Sequence, residues 1–168
     1  MPATVHPAKL EGMAKPDTAS MPLDDVSKAI IEQLQRDGRA PYASIGKAVG
    51  LSEAAVRQRV QRMLDAGVVQ VVAVSNPMQL GFTRAAMIGL NVDGSMEAVA
   101  ERIAKMPEID YVVITAGSFD LLCEVVCEND EQLLSILQDR LRAIPEVKET
   151  ETFVYLKLLK QTYQWGTR

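Results

Sequence analysis

The stretch Leu51–Gly67, LSEAAVRQRVQRMLDAG, places Arg57, Arg59 and Arg62 within six residues beside only two acids, in a chain of 168 residues whose formal charge is -4. At 100° per residue, Val56, Val60, Met63 and Leu64 gather on one face of a helix, Gln58, Gln61 and Arg62 point the opposite way, and Arg57 and Arg59 lie on the flanks. Ser52 is the residue type that caps a helix start and Gly67 the type that ends one. Alone, this pattern fits any amphipathic helix with a solvated charged face. Its neighbours decide what it is.

Upstream, LDDVSKAIIEQLQRDGR spaces Leu23, Val26, Ile30, Ile31 and Leu34 as a helix does, with acids in its first turn and Gly38 to stop it. A second, short helix fits Tyr42 to Val49, and Gly50 supplies the positive φ that a tight inter-helix turn needs. Three short helices with a compact turn between the last two form a helix-turn-helix. In that arrangement the third helix enters the major groove with its early residues nearest the base edges. Ala54 and Ala55 are small enough for close approach and for contact with thymine methyls. Arg57 and Gln58 suit bidentate reading of guanine and adenine. Arg59 and Arg62, further along, suit phosphates, and Lys47 and Ser52 with the exposed amides at the helix start add backbone contacts.

Downstream the rhythm changes. VVQVVAV, directly after Gly67, is rich in β-branched residues and reads as a strand, so the helical part is a winged variant or is tethered by that strand to the next domain. SNPMQLG follows as a linker. RAAMIGLNV reads as a buried strand, and Met96, Val99, Ile103 and Met106 as one face of a helix. IDYVVITA and LLCEVVC are two further strands joined through GSFD. A helix runs from about Asp130 to Ala143, and VKETETFVYLKLL is the last strand. The order β-α-β-β-α-β is ferredoxin-like, so the fold class is α+β. MPEID (Met106–Asp110) and IPEVK (Ile144–Lys148) echo one another, each leaving a helix to enter a strand, as two matched βαβ halves require. The domains expected are an N-terminal arm at 1–22, disordered by its Pro, Ala and Ser content, a helix-turn-helix at 23–67, a strand and linker at 68–82, and a ferredoxin-like domain at 83–168.

Composition removes several classes of function. His6, the only histidine, falls in the arm, so neither a His/Cys metal cluster nor Ser–His or Cys–His catalysis has a constellation. With no Gly-rich phosphate loop either, the chain reads as a non-enzyme without a cofactor. Cys123 and Cys127 share one face of a strand roughly 13 Å apart, too far for a disulfide with each other, and read as core residues. No apolar run reaches the length of a membrane span and the start lacks a secretory h-region, so cytoplasm is the expected location. Charge is uneven: residues 23–82 hold seven Lys/Arg against six Asp/Glu, residues 83–168 nine against fourteen. The first part tolerates an anionic partner better than the second, through local placement of charge and not through a bulk field.

LDDVSKAIIEQLQRDGR, IGKAVGLSEAAVRQRVQRMLDAGVV and GSFDLL, in this order and spacing, resemble the Lrp/AsnC family of prokaryotic transcriptional regulators over about Leu23 to Leu159. The resemblance implies a helix-turn-helix that binds double-stranded DNA, tethered by a strand to a ferredoxin-like sensing domain. It implies dimers formed through the sensing domains, octamers or larger assemblies of those dimers, and an amino-acid effector bound between sensing domains of neighbouring dimers. For TAGSFD (Thr115–Asp120) two readings stand side by side. One is a tight hairpin with Gly117 at positive φ and Asp120 bonding local amides. The other is an effector site in which amides around Ala116, Gly117 and Ser118 receive a carboxylate and Asp120 receives an ammonium group. A rival to DNA binding is an amino-acid-sensing oligomer whose helical domain docks a protein, favoured by that domain's charge of only +1.

Overall fold

A computed structural model describes residues 23–168. They separate into two compact units, residues 23–74 with Lys160–Arg168, and Ser75–Leu159. The expected arm, with His6, lies outside the described residues.

In the first unit, α1 (Asp25–Arg36) begins at Asp24, whose carboxylate accepts the Ser27 N–H at 2.8 Å. α2 (Tyr42–Val49) starts directly after Pro41 and ends at Gly50, whose φ of 74° is left-handed. α3 (Glu53–Asp65) begins at Ser52, whose hydroxyl accepts the Ala55 N–H at 3.2 Å. The turn between α2 and α3 is tight because Gly46 has no side chain: a Cβ there would sit 2.5 Å from the Leu51 carbonyl oxygen. Ile30, Ile31, Leu34, Ile45, Val56, Val60 and Met63 form the core, with Leu64 packed at its margin. Burial of seven such side chains, each stabilising by roughly 1.5–3 kcal/mol, holds the three helices together.

Residues 68–74, expected as a strand, are unpaired among the described residues. The β-branched residues there pair with no other segment among the described residues, and Val71, Val72 and Val74 are more than half exposed. β-propensity reports a fit to a pleated surface, and no such surface is supplied here. Lys160–Arg168 group with the helices of the first unit. The Gln35 side-chain amide donates to the Gly166 carbonyl at 3.4 Å and accepts the Gly166 N–H at 3.1 Å, and the Thr167 hydroxyl donates to Glu32 at 2.8 Å.

The second unit opens with a single 3-10 turn, Pro77–Leu80. Then follow β1 (Arg84–Val92), α4 (Met96–Ile103), β2 (Ile109–Ile114), β3 (Leu121–Cys127), α5 (Asp130–Ser135) and β4 (Val147–Val154). All pairings are antiparallel and the sheet order is β2-β3-β1-β4, the ferredoxin-like arrangement. The helix expected to run to Ala143 changes character after Ser135: Ile136–Leu141 is a π-helical segment, closed by Arg142 N–H donating to the Leu137 carbonyl. The wider turn rotates the phase so that Leu141 and Ile144 are both fully buried. The sequence echo corresponds to repeated geometry. Met106 and Ile144 each donate to a carbonyl three residues back and accept from the residue three ahead, at 2.9 and 3.2 Å in one half and 3.1 and 3.0 Å in the other.

The helix-facing side of the sheet is core: Ala86, Ile88 and Leu90 from β1, Leu121, Cys123, Val125 and Cys127 from β3. Both cysteines are free, and burial pushes the Cys123 thiol up to about 12, so it is protonated and inert. On the other side no helix of this unit packs, among the described residues. Met87, Tyr111, Leu122, Val126 and Phe153 alternate with the core residues and are partly or substantially exposed.

Candidate functional sites

The face of α3 away from the core brings together most of the residues singled out from the sequence. Val56, Val60 and Met63 are fully buried, which fixes the helix's roll. Ser52, Ala54, Arg57, Gln58 and Arg62 are exposed, Ala55 is half-buried, and Lys47 is exposed on α2. Arg62, Gln58 and Lys47 make no side-chain hydrogen bond or ion pair among the described residues.

Arg57 is exposed yet held. Its Nη2 donates to Glu53 Oε1 at 2.9 Å, one helical turn earlier, and its guanidinium carbon stands 5.2 Å from the centre of the Tyr42 ring. Sequence reasoning passed over Tyr42, because nothing in its spacing relates the first residue of α2 to the second turn of α3.

Arg59 is also held. Its Nη1 lies 2.7 Å from one Asp24 oxygen and 2.9 Å from the other, and donates to Ser27 Oγ at 3.1 Å. The side chain is only 27% exposed. Its charge is engaged inside the domain, joining α3 to the start of α1. Hydrogen bonds from Ser27, followed by Arg59, hold the Asp24 carboxyl down at about 2, against an ordinary value of 3.8.

In the second unit, Thr115–Asp120 is a connection between β2 and β3. Thr115 N–H donates to the Asp120 carbonyl at 2.9 Å, and the Thr115 hydroxyl donates to the Phe119 carbonyl. Gly117 does not adopt positive φ, contrary to the hairpin expectation. Nor does Asp120 bond local amides: its Oδ2 accepts Val92 N–H at 2.9 Å, while its own N–H donates to the Leu90 carbonyl at 3.0 Å. Asp120 thus extends the β1–β3 ladder with one backbone and one side-chain rung, just where β1 slips register between Asn91 and Val92. Ala116, Gly117 and Ser118 are exposed, and their amides have no partner among the described residues.

Phe119 anchors this turn. Its ring lies over Gly89, where a Cβ would come within 2.6 Å of it, and meets Phe153 edge-on at 6.0 Å. Beside it opens a cleft of about 570 Å³ lined by Phe119, Arg142, Val147 and the 148–151 stretch of β4. Arg142 Nε donates to Thr150 Oγ1 at 2.9 Å, and Lys148, Glu149 and Glu151 add charges of both signs. Sequence reasoning missed this cleft, since it needs the end of the second helix brought against the sheet's edge strand. On the helix-free side of the sheet, burial followed by the charge of Glu124 raises the Asp110 carboxyl above its ordinary value. Burial followed by a hydrogen bond to Glu124 pushes the Tyr155 phenol up to about 12.

Comparison with known proteins bears on both units. Residues 23–64 match the AsnC-type helix-turn-helix domain, and residues 82–168 match a C-terminal dimeric alpha+beta barrel domain of AsnC-type regulators. The HTH-type transcriptional regulator FL11 of Pyrococcus horikoshii is 37% identical over 144 residues, spanning 84% of this chain and 95% of its own. FL11 of Pyrococcus furiosus is 38% identical over 142 residues, spanning 83% and 93%. Among solved structures, the leucine response regulatory protein LrpA of Mycobacterium tuberculosis superposes with a TM-score of 0.75 at 26% identity, over 83% of this chain and 96% of its own. A transcriptional regulator of Neisseria meningitidis in complex with L-Met gives 0.72 at 24% identity, over 85% and 96%, a likeness of fold.

Proposed function

Since the chain belongs to the Lrp/AsnC family and is a helix-turn-helix transcriptional regulator and not an enzyme, we propose how its two units divide the work. α3 reads double-stranded DNA in the major groove. Arg57 and Gln58 address base edges, Ala54 and Ala55 allow close approach, and Arg62, Lys47, Ser52 and the α3 N-terminal amides hold phosphates. The observation that carries this reading is the exposure of Arg57, Gln58 and Arg62 on one side of a helix whose opposite side is fully buried.

The second unit senses an amino acid. The amides of Ala116, Gly117 and Ser118, unpartnered among the described residues, receive its carboxylate, and the Asp120 oxygen not held by Val92 receives its ammonium. Charges of both signs in the neighbouring cleft fit a zwitterion. A similar fold crystallised with L-Met supports this class of ligand. The helix-free sheet face, with Met87, Tyr111, Leu122, Val126 and Phe153, meets the same face of a second copy, and these dimers assemble further, to octamers or beyond.

Two experiments test this. Binding to DNA from the regulator's own upstream region should weaken steeply with salt, and Arg62→Ala should lower the slope of log affinity against log salt by about one. Absence of any shift at low salt would favour a protein-docking role for the helical unit. In thermal melts against the twenty amino acids, at least one should raise the melting temperature. Asp120→Asn retains an acceptor for Val92 N–H and removes the charge, so it should abolish that rise with the dimer intact. A retained rise would take Asp120 out of the site.

A further inference from the structure

The hold on Arg57 has a purpose if α3 reads bases, and the inference rests on that reading. We propose that Tyr42 and Glu53 are positioning residues that fix the Arg57 guanidinium for bidentate recognition of guanine, so that base preference is set partly from α2. A free arginine on a helix surface samples many rotamers, and ordering it on contact with a base opposes binding. Here two independent contacts have already selected one. The Tyr42 ring stands 5.2 Å from the guanidinium carbon, and Glu53 Oε1 takes one proton of Nη2 at 2.9 Å.

The platform itself is steady. Tyr42 is the first residue of α2, directly follows Pro41, and packs partly buried against the helical core. Of the five N–H donors of Arg57, Glu53 uses one. Four remain, and paired guanidinium donors match guanine O6 and N7. Gln58, the next residue, has no such hold among the described residues and reads its base by ordinary rotamer search.

Glu53 gives the arrangement a signature that mere packing lacks. A carboxylate on the DNA-facing side opposes phosphates, so it lowers affinity for every duplex while raising discrimination at one position. A residue kept for overall binding would not carry that sign.

The test is selection of bound sequences from a random duplex pool by the full chain, compared for the wild type, Tyr42→Phe, Tyr42→Leu and Glu53→Ala. Wild type and Tyr42→Phe should enrich one motif with guanine at a fixed position. Tyr42→Leu keeps most of the packing volume without the ring's face, and should lower guanine preference at that position by about two- to fivefold. Other positions and the salt slope should stay unchanged. Glu53→Ala should lose preference at the same position while binding all duplexes more tightly. Undiminished guanine preference in Tyr42→Leu overturns the proposal. So does a uniform loss across all sequences with a lowered melting temperature, which marks a structural role. Failure of the wild type to enrich any motif removes the DNA-reading premise instead.

Discussion

Asp24 caps α1 and pairs with Arg59, so one carboxylate serves two partners and joins the first and third helices. Its pKa is depressed in the fold, to about 2 from 3.8. Stabilisation from its charge is therefore present above about pH 4 and disappears as pH falls from there towards 2. Asp24→Asn keeps a capping side chain and removes the charge. The variant should unfold more easily than the wild type at pH 7, with the gap closing by about pH 2 in denaturant titrations followed by circular dichroism. A gap independent of pH would mean that the Arg59 pair contributes nothing. The same pair shows where sequence reasoning stopped. The helical phase of Arg59 was readable, and phase put it on a flank. Which neighbour occupies that flank depends on a residue 35 positions away.

At the scale of elements, the backbone constraint between α2 and α3 is severe. Gly46→Ala forces a methyl against a main-chain carbonyl that cannot swing aside, so the helical unit should lose about 1–3 kcal/mol, measured by urea titration. Gly50→Ala meets no neighbour and is opposed only by its left-handed φ, so it separates the two causes. Elements whose burial is local were legible. RAAMIGLNV and LLCEVVC coincide with β1 and β3, and the Met-Pro-Glu and Ile-Pro-Glu echo with two matching turns. VVQVVAV has the composition of a strand, but pairing depends on a partner that no described segment of this chain supplies. The π-helical segment left no trace in the spacing of Leu133, Ile136, Leu137 and Leu141, which fits an α-helix equally well. In the 115–120 turn the polar residues were visible, but the tie from Asp120 to Val92, 28 residues upstream, required the sheet's register.

For the whole molecule, the exposed side of the sheet presents apolar side chains, among them Tyr111 and Phe153. Tyr111 is 51% exposed and sits opposite Glu124 in the β2–β3 register. Tyr111→Glu would add a carboxylate beside Asp110 and Glu124, a cluster in which burial already raises one acid. In a dimer closed over this face, three uncompensated acids are too costly to desolvate. The variant should run as a monomer in light scattering at micromolar concentration, whereas a dimer would place the interface elsewhere. The other feature of this scale is the return of Lys160–Arg168 to the helical unit. That unit is discontinuous along the chain, its two parts separated by residues 75–159. On a ribosome working at about 5–20 residues per second, roughly 4–17 s pass between the two parts. The three helices and their core are therefore available well before the segment that clasps Glu32 and Gln35 on α1. The helix-turn-helix is made first, and the clasp closes only after the second unit has been made.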